Sequence, residues 1–225
     1  MKITFYGHAS LGIEVGGKNI IVDPFITGNP QAAGVDVTTL KADYILLTHA
    51  HGDHILDVEA IAGRTKAVIV SNAEIADYYA KLGFNSHPMN HGGSWQFDFG
   101  RVKYVNAIHS SSFPDGSNGG NPGGFVIEGE HKNIYIAGDT ALTWDMKLIP
   151  MRTKLDLAIL PIGNNFTMDV EDAIIASDFV ECDKILGYHF DTFGYIKIDH
   201  EDAIRKFFNK GKDLMLLEIG ESIEL

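Results

Sequence analysis

The sequence predicts an α/β protein in which sheets pack against each other with helices outside. Two observations carry this. Short apolar or alternating runs recur along the 225 residues, and three longer, capped stretches fall between them. Composition is the third: 45% hydrophobic and 21% charged residues is an ordinary globular balance, in a chain long enough for a sizeable core. No linker, low-complexity block or repeat divides it, so one domain over residues 1–225 is expected.

Lys2–Tyr6, Leu11–Val15 and Asn19–Val22 read as strands, with Gly16 and Gly17 turning a hairpin between the last two. Asp23-Pro24 ends that run, because proline has no N–H to donate and restricts its predecessor. Tyr44–Leu47 and Ala67–Val70 are further strands. Ser71–Leu82 reads as a helix with Ser71 as N-cap, Glu74 three residues on, and Gly83 past its end. Val102–Ala107, Phe125–Glu128, Ile134–Ala137, Leu157–Leu160, Lys184–Leu186 and Leu214–Leu217 continue the strands. Asp169–Val180 and Asp199–Lys210 are helices opening on aspartate caps, and Gly211 closes the second. Ser110–Gly124 (SSSFPDGSNGGNPGG) cannot build a regular element; it is a surface loop or a mobile lid.

Net charge is -12, from 30 acidic and 18 scattered basic residues, which argues against a phosphate-tracking surface and a nucleic-acid partner. No apolar stretch approaches the roughly 20 residues that span a bilayer, and the opening MKITFYGHASLGIEVG lacks a signal-peptide pattern. A cytoplasmic protein acting on a small molecule is therefore expected, with a homo-oligomer left open. The single cysteine, Cys182, excludes an internal disulfide; acidic neighbours raise its pKa, and it reads as structural.

The chemistry concentrates in YILLTHAHGDHI, residues 44–55. His49 and His51, two apart after a strand, share a face and can grip one ion. Gly52 allows a sharp turn, after which Asp53 and His54 project from the next element. Neutral imidazoles with a carboxylate suit zinc, iron or manganese. One turn cannot fill two metal shells. His109, Asp139 and His189 each follow an apolar strand and can supply the rest, whereas His87, His91, His131 and His200 lack that setting and read as surface residues.

The ordered set His49-Ala50-His51-Gly52-Asp53-His54, His109, Gly138-Asp139-Thr140 and His189, with Asp23 ending IIVD, resembles the metallo-β-lactamase superfamily from the first strand to the last. The resemblance implies a four-layer αβ/βα sandwich of two mixed sheets, with the site at one edge between them. It implies that His49, His51 and His109 hold one divalent ion, that Asp53, His54 and His189 hold another, and that Asp139 bridges. Asp23 would orient a ligand histidine from behind. Zinc leads, with manganese, iron or nickel admissible, and a hydroxide on the metals would be the nucleophile.

ITFYGHAS, IIVDPF, PIGNNFTM (161–168) and HFDTF (189–193) look like the small cytoplasmic hydrolases similar to ascorbate-6-phosphate lactonase. Gly194 departs from that pattern where proline is expected, and Asp169 where glycine is expected. The resemblance places His8 of G-H-A-S beside the site as a catalytic group with Asp53, donating a proton to a leaving group or hydrogen-bonding an anionic substrate without binding metal. Asn165 and Thr192 are expected to contact substrate. The expected activity is binuclear hydrolysis of a small anionic phosphodiester or lactone. The alternatives are a nuclease of the same fold and a metal-binding protein that has lost catalysis.

Overall fold

A computed structural model describes residues 1–225. Its first half runs β1 (Lys2–Gly7), β2 (Ser10–Val15), β3 (Lys18–Val22), β4 (Tyr44–Leu46), α1 (Gly52–Ile55), α2 (Val58–Thr65), β5 (Val68–Asn72), α3 (Ala73–Lys81) and β6 (Ser86–Met89). The second runs β7 (Ser94–Phe97), β8 (Gly100–Asn106), β9 (Gly123–Gly129), β10 (Lys132–Ile136), β11 (Leu157–Pro161), α4 (Val170–Phe179), β12 (Lys184–Tyr188), α5 (His200–Phe208), β13 (Asp213–Met215) and β14 (Ser222–Glu224). Two seven-stranded sheets result, ordered β14-β1-β2-β3-β4-β5-β6 and β13-β12-β11-β10-β9-β8-β7. Both are mixed: β14 to β3 and β7 to β10 pair antiparallel, while β3 to β6 and β10 to β13 pair parallel.

Three apolar clusters define four layers. Ile3, Leu11, Ile13, Val70, Tyr104, Phe125, Ile136 and Leu186 come from both sheets and fill the space between them. Ile45, Ile69, Val58, Ile61, Ile75 and Tyr79 join the first sheet to α2 and α3. Tyr135, Ala158, Leu160, Ala173, Ala176 and Phe207 join the second sheet to α4 and α5. Alternate residues of one strand thus serve opposite faces, as Ile136 and Tyr135 do on β10. No helix is long and apolar enough to cross a membrane.

Most expected elements form, and the differences have local causes. Gly16 and Gly17 make the β2–β3 turn at φ 58° and 71°. A Cβ at Gly16 would lie 2.8 Å from Phe99 Cα, so that turn needs glycine twice over. Asn72, not Ser71, caps α3 by accepting from the Ile75 N–H at 2.9 Å; Ser71 ends in the sheet, its hydroxyl donating to Leu47 O. The last parallel strand is Asp213–Met215 rather than Leu214–Leu217. Sequence reasoning misses β6, β7, β14, α1 and α2. His131 and His200 are exposed as expected; His87 and His91 are instead half-buried against Trp95 and Tyr104.

The 110–124 loop is pinned down. Buried Phe113 stacks on Tyr78 at 3.9 Å between ring centroids, and Asn72 Nδ2 donates to the carbonyls of Gly119 and Asn121. Its root lies beside the histidine turn, while its tip packs beside α1 and α3.

Candidate metal centre

Strand ends converge on one edge of the sandwich. His8 follows β1, Asp23 follows β3, His49 lies just beyond β4, His109 beyond β8, Asp139 beyond β10 and His189 immediately after β12. This is the carboxyl edge of the parallel strands, where open α/β sheets present their sites. His8, Asp23 and His189 all adopt left-handed backbone, at φ 55°, 43° and 56°. That conformation is costly for these residue types and bends the chain abruptly out of the sheet. Gly138 (φ 68°) lets Asp139 approach closely: a Cβ there would lie 2.7 Å from Gly123 O and 2.9 Å from Thr48 Cβ.

The ligand atoms of His49, His51 and His109 lie within 4.8 Å of one another, as do those of His8, Asp53, His54 and His189. Asp139 stands between the groups, its Oδ2 lying 2.9 Å from His189 Nε2, 3.4 Å from His54 Nε2 and 3.5 Å from His109 Nε2. Behind them, buried Asp23 accepts from the Thr48 N–H (2.8 Å), the Thr48 hydroxyl (2.6 Å) and His54 Nδ1 (2.9 Å). His49 Nδ1 donates to the same Thr48 hydroxyl at 3.0 Å, because that hydroxyl gives its own proton to Asp23, and His51 Nε2 shares a hydrogen bond with Ser110 Oγ at 3.1 Å. Those partners turn the other nitrogens of the two rings inward.

A cation fits these donors. His49 Nε2 and His51 Nδ1 lie 3.0 Å apart, so one imidazole donates to the other when no ion is held, and both nitrogens can turn lone pairs onto a cation placed between them. His54 Nε2, His189 Nε2 and Asp139 Oδ1 are buried without a hydrogen-bond partner, which buried polar atoms rarely tolerate.

The electrostatics divide the centre. Burial, with help from His54, holds His49 well below the ordinary histidine value, and burial also lowers His51 and His109. Burial works against charge on His54, but Asp139 and Asp23 outweigh it and hold that pKa well above the ordinary value. Burial likewise disfavours the Asp139 carboxylate; His189 and His54 overcome it and hold its pKa well below the ordinary range. In the same way the His8 hydrogen bond lowers Asp53 against the effect of burial.

His8 is buried, with Nε2 3.2 Å from Asp53 Oδ2 and Nδ1 3.0 Å from Thr192 Oγ1. Burial and His189 push its pKa down to about 4. Burial thus disfavours the protonated form of His8, which works against the stored proton expected from sequence.

The two groups open onto a cleft of about 740 Å³. Thr192 lines it as expected. Asn165 does not; its neighbour Phe166 does, together with Ser110, Phe193 and Tyr195. No lysine or arginine lines the wall, so the anionic substrate expected from sequence meets no side-chain cation there. Phe193 and Phe166 lie within the motif segments 189–193 and 161–168, but spacing alone did not show which side chains face the metals. The expected departure at Asp169 is a helix cap, accepting from the Asp172 N–H at 2.8 Å. Cys182 is buried, its thiol pushed up by burial, as a structural cysteine should be.

The fold and donor set define a metal-dependent hydrolase of the αβ/βα sandwich class. The chain belongs to the β-lactamase superfamily, whose domain model matches residues 18–190. It is 88% identical over the full length of both chains to a UPF0173 metal-dependent hydrolase of Flavobacterium johnsoniae. It is 49% identical, again over full length, to another from Methylacidiphilum infernorum. Among solved structures it resembles Igni18, a metallo hydrolase from Ignicoccus hospitalis, with TM-score 0.90, 33% identity, and coverage of 100% of this chain and 98% of that one. An isothiocyanate hydrolase from Delia radicum gut bacteria shares the fold at TM-score 0.80 and 22% identity, covering 100% of this chain and 99% of that one.

Proposed function

We propose that the chain is a binuclear hydrolase of a small lactone or related carboxylic ester, working in the cytoplasm. The observation that carries this is the position of Asp139: one carboxylate oxygen lies within 3.5 Å of histidines from both groups. His49, His51 and His109 would hold one ion and Asp53, His54 and His189 the second, zinc being the leading candidate and manganese, iron or nickel compatible with a set that contains no thiolate. Two such cations supply an activated water and polarise the scissile carbonyl.

The chain's own side chains do the positioning. Asp23 and Thr48 orient His54 and His49. Ser110 orients His51. Thr192 holds His8, and His8 donates to Asp53, so Asp53 keeps its charge and direction; neighbouring cations would lower the His8 pKa further. A cleft wall without lysine or arginine favours a lactone over a phosphodiester and weighs against a nuclease. Metal-loaded protein should hydrolyse simple lactones at a rate that chelation abolishes. Stable binding of two ions without turnover of any lactone, ester or phosphodiester would leave the non-catalytic reading standing instead.

A further inference from the structure

The mouth of the cleft carries three aromatic rings that the hydrolytic machinery does not use. Phe166 is 50% exposed and Tyr195 79% exposed, and their rings meet edge to face at 6.4 Å between centroids. Phe193 lies deeper, its ring 5.2 Å from that of His8. Large exposed aromatics facing one another across a concave site are where an apolar group is most readily taken from water.

Their placement is built into the backbone. The turn carrying Phe166 has left-handed Asn164 and Asn165, φ 63° and 57°, and hangs from the centre. Asn164 N–H donates to Met168 O at 3.0 Å, and Met168 N–H donates to Thr140 O at 3.0 Å, one residue beyond Asp139. Phe193 and Tyr195 sit on a short turn closed by Ile196 N–H to Phe193 O (3.1 Å) and Asp191 N–H to Ile196 O (2.8 Å), two residues beyond His189. Both aromatic turns are therefore fixed to predicted metal ligands. Apart from the candidate ligands, the polar side chains that line this cleft, those of Ser110, Thr192 and Tyr195, are neutral hydroxyls.

We infer that the substrate is an uncharged lactone or ester bearing an apolar group, and that Phe166, Phe193 and Tyr195 seat that group and set specificity. This rests on the hydrolase reading above. Hydrolysis of such a bond consumes one water: its oxygen bonds to the carbonyl carbon, the acyl C–O bond breaks, and the departing alkoxide takes up a proton from that water.

Three γ-lactones with the same ring test this: γ-butyrolactone with no tail, γ-nonalactone with a pentyl tail, and an analogue whose tail ends in a carboxylate. Wild-type protein should prefer γ-nonalactone to both. Phe166→Ala and Tyr195→Ala should each lower kcat/KM for γ-nonalactone by about tenfold or more, mostly through KM, and stay within about twofold for γ-butyrolactone. Tyr195→Phe, which keeps the ring, should behave as wild type. Equal losses on all three lactones, or a preference for the carboxylate-ended one, would overturn the inference. If none is hydrolysed, the lactonase reading fails separately, and saturation-transfer NMR with γ-nonalactone still decides on the wall. Binding weakened in both alanine variants supports it; no binding, or unchanged binding in the variants, overturns it.

Discussion

The two ligand groups flanking Asp139 are built differently. His49, His51 and His109 are three neutral imidazoles, and His51 and His109 lie partly open to the cleft. On the other side, His54 and His189 are fully buried, and carboxylates surround them: Asp53 in the cleft, Asp139 between the groups and Asp23 behind His54. The difference is one of charge and support. The first group offers lone pairs that an ion can reach and leave. The second offers anionic oxygens, with His54 held from behind by buried Asp23. The second group should therefore bind its ion more tightly and exchange it more slowly.

Asp139→Asn should have the largest effect because it strikes both groups. A carboxylate offers two anionic oxygens, whereas an amide offers one neutral acceptor. Losing several kcal/mol of charge stabilisation corresponds to about 10³-fold or more in kcat/KM, with weakened binding of at least one ion and a smaller effect on folding than on activity. Full occupancy and rate in this variant would remove Asp139 as the bridge.

Next in size are His54→Ala and His51→Ala. The first leaves Asp23 and Asp139 buried without their shared partner and should destabilise the metal-free protein by about 3–5 kcal/mol. The second, at the cleft, should cost under about 1 kcal/mol of folding stability while losing the first group's ion. Equal melting temperatures for the two metal-free variants would contradict the contrast in support.

His8→Ala should lower kcat by about 10–100-fold, as loss of a partner that orients a ligand does, with both ions retained. A pH–rate profile unchanged in shape by that substitution would fit a positioning role. Loss of an ionisation between pH 6 and 8 would restore the proton-donor role.

The smallest effect is on acid stability. His8, His49, His51 and His109 have folded pKa values below the ordinary histidine value of about 6.5. Below that pH the unfolded chain binds more protons at these sites, so metal-free stability should fall from about pH 6.5 downward. Each site contributes up to about 1.4 kcal/mol per pH unit. His54, with a raised folded pKa, contributes its full stability below about 6.5, where it adds no slope, and loses it as pH rises from there through the folded value. Double replacement of His51 and His109 by Ala should flatten the slope of melting temperature against pH; an unchanged slope would place the acid lability elsewhere.

The centre was legible in sequence wherever the signal was local or ended a strand. His49 to His54 lie on one turn, and His109, Asp139 and His189 each follow an apolar run that reads as a strand. What sequence hid depended on partners far along the chain. Ser71 looked like a cap, but its hydroxyl is occupied by Leu47 O in the neighbouring strand, and Asn72 takes the role. Strands β6 and β7 escaped because SHPM and SWQF, near the sheet edges, lack alternation. From sequence the 110–124 loop was a surface loop or a mobile lid; the anchor that decides its placement, Phe113 seated on Tyr78, comes from a distant helix. The lowered pKa of His8 follows from burial beside His189, which no spacing in the chain reveals.

Calorimetric titration of metal-free protein with zinc, followed by elemental analysis, tests the central claim most directly. Two ions per chain are predicted, bound in two separable steps, with His51→Ala abolishing the weaker step and leaving the tighter one. A single ion per chain at saturation, or loss of the tighter step on replacing His51, would contradict a centre built from two unequal halves around Asp139.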